Sequence, residues 1–148
     1  MSRDKVLDTL QLEVGVLMQR VRRVIGERAR ALHPDLQAGS YLVLTQIAQE
    51  ETQRASDLCA ALSIDKAAIS RQVQHLLELG FIEARRDPED GRATLLSLSD
   101  DGARRLAEVG AQRRTSLEQR LAEWRDDELD TFVSGLTRYN VTLGQHLA

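Results

Sequence analysis

The chain contains a single cysteine, Cys59, which excludes an internal disulfide framework and a zinc site built on cysteines. Its three histidines, His33, His75 and His146, are far apart and share no ligand spacing, so no metal is expected. There is no Gly-rich phosphate loop and no nucleophile beside an evident base, which leaves an enzyme, and any cofactor, without support. No apolar run approaches a membrane span, and the opening residues MSRDKVLDTLQLEV lack a signal-peptide core. A cytoplasmic protein with no membrane partner is the expectation. Lysine is scarce as well, since Lys5 and Lys66 are the only ones and arginine supplies the other cations. A genome rich in G and C accounts for that bias without any special arginine chemistry.

What is present describes an ordinary globular domain. The 148 residues are 42% hydrophobic and 29% charged, enough for one domain with a real core and free of a disorder signature. The formal charge of −3 argues against a nucleic-acid partner, because such proteins are more often basic. Distribution matters more than the sum: phosphates respond to charges within a Debye length of roughly 8–10 Å.

Apolar periodicity places helices at both ends. Leu7, Leu10, Val14, Leu17, Val21 and Val24 repeat alternately three and four apart, a coiled-coil-like seam that needs a helical partner. This first helix is expected to stop near His33, because the residue before Pro34 is pushed out of the helical region. A second helix is read from about Gln37 to Gln49, with Tyr41, Leu44, Ile47 and Ala48 inward. In RASDLCAALS, Ser56 is the expected cap of a short third helix that buries Leu58 and Leu62.

The stretch IDKAAISRQVQHLLELG follows after a brief turn, capped by Ser63 or Asp65. Ile69, Val73, Leu76 and Leu77 recur at the spacing of an amphipathic helix packed on a core. The opposite side carries Lys66, Ala67, Ser70, Arg71 and Gln74, with no carboxylate between Lys66 and His75. A solvated helix face usually pairs Glu with Lys four apart. Arg, Gln and Ser instead suit base edges in a major groove, and a short Ala admits close approach of the backbone. Two short helices joined by a tight turn, the second with such a face, form a helix-turn-helix.

Gly80 suits a left-handed helix end, after which FIEARR alternates with Ile82 and Ala84 inward. Beyond the turn DPEDG, RATLLSLS alternates again, with Thr94, Leu96 and Leu98 on one face, completing a β-hairpin. A hairpin in this position is a wing. Asp90 and Arg92, two apart in a strand-like segment, share a side, so the carboxylate is expected to orient the guanidinium. An arginine on a narrow projecting loop suits a minor groove, where negative potential concentrates; the bland alternative is a surface ion pair of little value.

With these residues in view, the sequence resembles the MarR family, winged-helix regulators of multiple-antibiotic-resistance type. The resemblance covers LQAGSYLVLTQIA, ASDLCAALSIDKAAISRQVQHLLELGFIEARR and DPEDGRATLLSLSDDG, nearly the whole chain. Its wing pattern of Asp, any residue, Arg and then Leu-Thr near a Gly corresponds to Asp90, Arg92, Leu98, Ser99 and Gly102. Ser99 replaces the usual Thr, a mild change because Ser caps a helix equally well.

Two further helices are expected, one from about Asp100 to Glu123 with Leu106, Val109, Leu117 and Leu121 inward, the other capped by Asp126. The second stripe, Leu129, Phe132, Val133, Leu136, Leu143 and Leu147, together with Leu7, Leu10 and Val14, implies a dimer interface built from both chain ends. An intrachain bundle is the alternative. The fold expected is therefore mainly α with a small β-hairpin wing: one domain, 1–148, with a winged helix-turn-helix lobe at 36–99 and dimerisation helices at 1–35 and 100–148. The resemblance implies a triangular homodimer.

A two-fold dimer is expected to read a pseudo-palindrome in double-stranded DNA, with half-sites about one helical turn apart. Ser70, Arg71 and Gln74 are assigned to base edges, Lys66, Ala67 and Arg54 to backbone positioning, Arg92 to the minor groove, and Arg85 and Arg86 to phosphates. The resemblance further implies repression of a neighbouring operon, relieved by a small aromatic or anionic effector or by an oxidant. Arg28, His33, Tyr41 and Leu44 are candidates for an effector pocket, with ordinary packing as the competing reading. Cys59 invites a redox reading, but it has no clear electropositive neighbour, and the oxidant-sensing branch carries its cysteine near the N-terminus, where this chain has none. The rival function is a winged helix that docks on another polypeptide; such a face would expose large apolar or aromatic anchors.

Overall fold

The computed structural model describes residues 2–144. Leu147, expected in the last apolar stripe, lies outside the described residues. The chain runs α1 (Arg3–Leu32), α2 (Ala38–Ile47), β1 (Gln53–Arg54), α3 (Ala55–Leu62), α4 (Lys66–Glu78), β2 (Ile82–Arg86), β3 (Thr94–Leu98), α5 (Asp100–Arg120) and α6 (Asp126–Gly144). It separates into two compact units, the first running through Gly110 and the second from Ala111. Among the described residues no helix is long and apolar enough to cross a membrane.

Local chemistry sets most of the boundaries. The α1 helix ends where His33 turns extended (φ −159°, ψ 138°) ahead of Pro34. Asp65 caps α4, its Oδ1 accepting from the Ala68 N–H at 2.9 Å. Gly80 adopts φ +75° and closes α4 as a Schellman turn. In that turn the Phe81 N–H donates to the Leu76 carbonyl (3.0 Å) and the Gly80 N–H to the Leu77 carbonyl (3.1 Å).

Several expectations are corrected. Ser56 is not a cap: the pairing of β1 holds the backbone extended through Arg54, and α3 starts at once with Ala55. The α2 helix is shorter than expected, and Ala48 beyond it is exposed. Ala84 is exposed because β2 is an edge strand, whereas Leu96 on the central strand is fully buried. Thr94 is likewise exposed at the far end of the hairpin. Arg125 precedes α6 as its cap, since the Glu128 carboxylate accepts from the Arg125 N–H at 2.9 Å; Asp126 is already helical.

The three strands are antiparallel in the order β1-β3-β2, with Ile82 opposite Leu98 and Arg86 opposite Thr94. The core draws on α1, α2, α3, α4 and the sheet through Leu32, Leu44, Ile47, Leu58, Leu76, Phe81 and Leu96, each at most 2% exposed. The start of α5 is fastened to the end of α4. Ser99 Oγ donates to the Gly80 carbonyl (2.6 Å) and accepts from the Gly102 N–H (3.0 Å). A Cβ on Gly102 would lie 2.0 Å from the Phe81 carbonyl oxygen, so only glycine fits there.

The stripes expected to be inward at the chain ends are largely uncovered in the single chain. Leu117, Phe132, Val133 and Leu143 expose half or more of their surface, and Leu7, Leu10, Leu17, Val21 and Leu136 are also exposed. Val14 and Leu129 are half-buried. Within the second unit Trp124 packs edge-on against Phe132 with ring centroids 5.6 Å apart.

Candidate nucleic-acid interface

The α4 helix presents the two faces that its sequence encodes. Ile69 and Leu76 are buried, and Val73 and Leu77 half-buried, while Lys66, Ala67, Ser70, Arg71 and Gln74 are all exposed. Among the described residues no ion pair engages Lys66, Arg71, Arg85, Arg86 or Arg92. Contrast Arg104 on α5, which meets Asp101 and Glu108; the hydrogen bond to Asp101 comes first among the causes that raise its pKa. The cations of α4 and the wing therefore keep their charge unneutralised for an external anion. Gln74 Nε2 donates to Glu78 Oε1 at 3.1 Å, an exposed bond that a base edge can replace.

Polar contacts on the flank of α4 fix its position. The buried Ser40 hydroxyl of α2 donates to Gln72 Oε1, and a Cβ on Gly39 would meet the same side chain. His75 Nε2 donates to the Asp35 carbonyl at 3.1 Å, tying the helix to the α1–α2 turn. Sequence reasoning missed Gln72; its only signal is a polar residue at the edge of the apolar stripe, opposite the small pair Gly39 and Ser40.

The wing departs from expectation in its turn. Residues 87–93 link β2 to β3, so Asp90 and Arg92 lie in the turn rather than in a strand. Asp90 Oδ1 accepts from the Arg92 backbone N–H at 3.1 Å instead of orienting the guanidinium, because an Asp two residues back in a turn reaches that amide first. Arg54, read as a DNA contact, is engaged by Asp87: its Nε–H donates to Oδ2 at 2.9 Å, and its Nη2 lies 2.6 Å from the same oxygen as an ion pair. Asp87 itself is only 5% exposed. The Glu89 backbone N–H, and then the Arg54 guanidinium, hold its carboxyl below the usual carboxylate range. The hydrogen bond to Asp87 in turn raises the Arg54 pKa. Arg85, Arg86 and Arg92 are exposed along the hairpin.

Of the four residues expected to line an effector pocket, Leu44 is fully buried and Tyr41 nearly so, both within the core. His33 is half-buried edge-on to Phe81, with centroids 6.3 Å apart, and its Nδ1 accepts from the Asp35 N–H at 3.2 Å. Arg28 is half-buried on α1. Cys59 is half-buried on α3 and packs against the core.

Comparison with known proteins agrees with this geometry. Residues 35–93 match the family model described as the MarR family. The uncharacterized HTH-type transcriptional regulator YdgJ of Bacillus subtilis is 30% identical over 128 residues, covering 86% of this chain and 77% of its own. A second regulator of that description, YxaD of the same organism, is 26% identical over 140 residues, covering 95% and 96% of the two chains. Among solved structures, a mutant of MarR from E. coli complexed with operator DNA superposes with a TM-score of 0.70 at 24% identity, over 94% of this chain and 99% of that one. A winged helix-turn-helix with an uncovered cationic α4 face, matched over its lobe and over most of its length, places this chain in the MarR family of DNA-binding transcriptional regulators.

Proposed function

We propose that the protein is a ligand-responsive repressor that binds a pseudo-palindromic operator as a homodimer. The observation that carries this reading is the exposed face of α4, with no carboxylate between Lys66 and His75, on which Ser70 and Arg71, with Gln74 released from Glu78, meet base edges. Lys66 and Ala67 at the start of the helix approach the phosphate backbone, Arg85 and Arg86 add phosphate contacts, and Arg92 enters the minor groove. The uncovered apolar stripes of α1 and α6 support dimerisation, and a two-fold dimer calls for two half-sites about one helical turn apart. The MarR homologue whose complex contains operator DNA supports a duplex target. Cytoplasmic location follows from such a target. Control by a small aromatic or anionic compound enters through the family resemblance, with Arg28, His33, Tyr41 and Leu44 as the candidate site. Docking on another polypeptide is disfavoured because the α4 face exposes no large apolar anchor.

The test is a titration of the purified protein against duplex DNA from its own upstream region over a series of salt concentrations. Counterion release makes the logarithm of the binding constant fall linearly with that of salt, with a slope of about −0.9 per phosphate neutralised. Saturable binding with such a slope, stronger on the upstream duplex than on a scrambled one, is expected. Binding confined to a protein partner and insensitive to salt would move the assignment to the interaction module.

A further inference from the structure

We propose that the Arg54–Asp87 pair is the strut that aims the wing, so that Arg54 is a positioning residue rather than a phosphate contact. The inference rests on the DNA-binding reading above and assigns the wing's direction to two residues outside the recognition helix. Arg54 ends β1 and caps α3; Asp87 is the first residue beyond β2. The pair therefore bridges the turn end of the wing to the start of α3 in the helix-turn-helix. Little else ties the far end of the hairpin down, because β1 contributes only two residues to the sheet and β2 is exposed beyond Ile82.

Both Asp87 oxygens are used. Oδ2 accepts from the Arg54 Nε–H and pairs with Nη2, and Oδ1 accepts the Glu89 N–H at 2.9 Å. The chain of bonds continues to the tip. The Asp87 N–H donates to the Ala93 carbonyl (3.0 Å), the Ala93 N–H to the Asp90 carbonyl (2.9 Å), and the Arg92 N–H to Asp90 Oδ1 (3.1 Å). A continuous set of hydrogen bonds thus leads from α3 to the backbone of the residue assigned to the minor groove. A guanidinium whose Nε–H is aimed at one nearly buried carboxylate oxygen is geometrically specific, and a Lys in its place would keep the charge and lose that directed bond.

The sign of the effect distinguishes a strut from simple electrostatics. Converting Asp87 to Asn removes a negative charge beside a DNA-facing loop, so charge alone would tighten binding. The strut demands the opposite. Affinity for the upstream duplex is measured for the wild type, Asp87→Asn, Arg92→Ala and the double variant, together with amide hydrogen exchange in the absence of DNA. We expect Asp87→Asn to bind about tenfold more weakly, equivalent to about 1.4 kcal/mol. The double variant should bind no worse than Arg92→Ala alone, because the strut acts through Arg92. Exchange at the Glu89, Arg92 and Ala93 amides should quicken while that of α4 stays unchanged.

Arg54→Lys should weaken binding as well, where a phosphate contact would leave it near the wild-type value. Equal or tighter binding by Asp87→Asn, strictly additive losses in the double variant, or unchanged exchange in the wing turn would each overturn the proposal. If the wild type does not discriminate its upstream duplex from a scrambled one, the regulator reading falls, and the exchange measurement still decides whether the pair holds the turn.

Discussion

Asp87 shows how a single residue escapes sequence reasoning. Within DPEDG it reads as a turn residue, and only the fold reveals that it is nearly buried against Arg54, thirty-three positions earlier. Its folded pKa is depressed, so its contribution to stability is present above the ordinary carboxylate value and is lost as pH falls from there through the folded value. Acid unfolding of Asp87→Asn should therefore show a shallower decline below about pH 4 than the wild type, measured as denaturation midpoints against pH. An identical acid limb would separate Asp87 from that loss. Gly102 was legible as part of a wing pattern, but its reason was not. Gly102→Ala must displace the Phe81 carbonyl and should cost about 1–3 kcal/mol in chemical denaturation, the range for forced overpacking. Asp90 was expected to orient the Arg92 guanidinium but instead accepts from the Arg92 backbone N–H, since turn length decides which group is in reach.

At the scale of elements, the α4 helix was readable almost whole. Its cap at Asp65, its left-handed end at Gly80 and its apolar stripe are all local signals, and local signals survive in a single sequence. The two-residue strand β1 was not readable, because two residues carry no alternation and its pairing with Leu95 and Leu96 is set from outside. The Gln72 bond to Ser40 was hidden for the same reason, being a contact between helices. Function at this scale separates two kinds of cation on one helix. Arg71→Ala should cost roughly 1–3 kcal/mol on the cognate duplex and relax preference at one base pair, whereas Lys66→Ala should weaken all duplexes alike and reduce the salt slope by about one. Competition titrations against single-base variants of the site would distinguish these outcomes.

For the whole molecule, the ends of the chain carry the claim of assembly. The coiled-coil-like seam of α1 and the stripe of α6 were legible as apolar periodicity, but periodicity does not say which chain supplies the cover. In the single chain Leu10, Phe132, Leu136 and Leu143 remain exposed. Leu136→Asp should shift the protein from dimer to monomer in analytical ultracentrifugation and weaken binding to the full upstream site far more than to a half-site. A monomeric wild type would contradict the dimer directly. The effector and any role for Cys59 were never within reach of periodicity or spacing, because both depend on chemistry that local pattern does not encode. Whether the α4 face reads DNA sequence is decided by fluorescence anisotropy of wild type and Arg71→Ala on the upstream duplex and on a scrambled duplex at one salt concentration. Saturable wild-type binding to the upstream duplex, lost toward the scrambled level in Arg71→Ala, is the expected result; equal affinities of both proteins for both duplexes would contradict it.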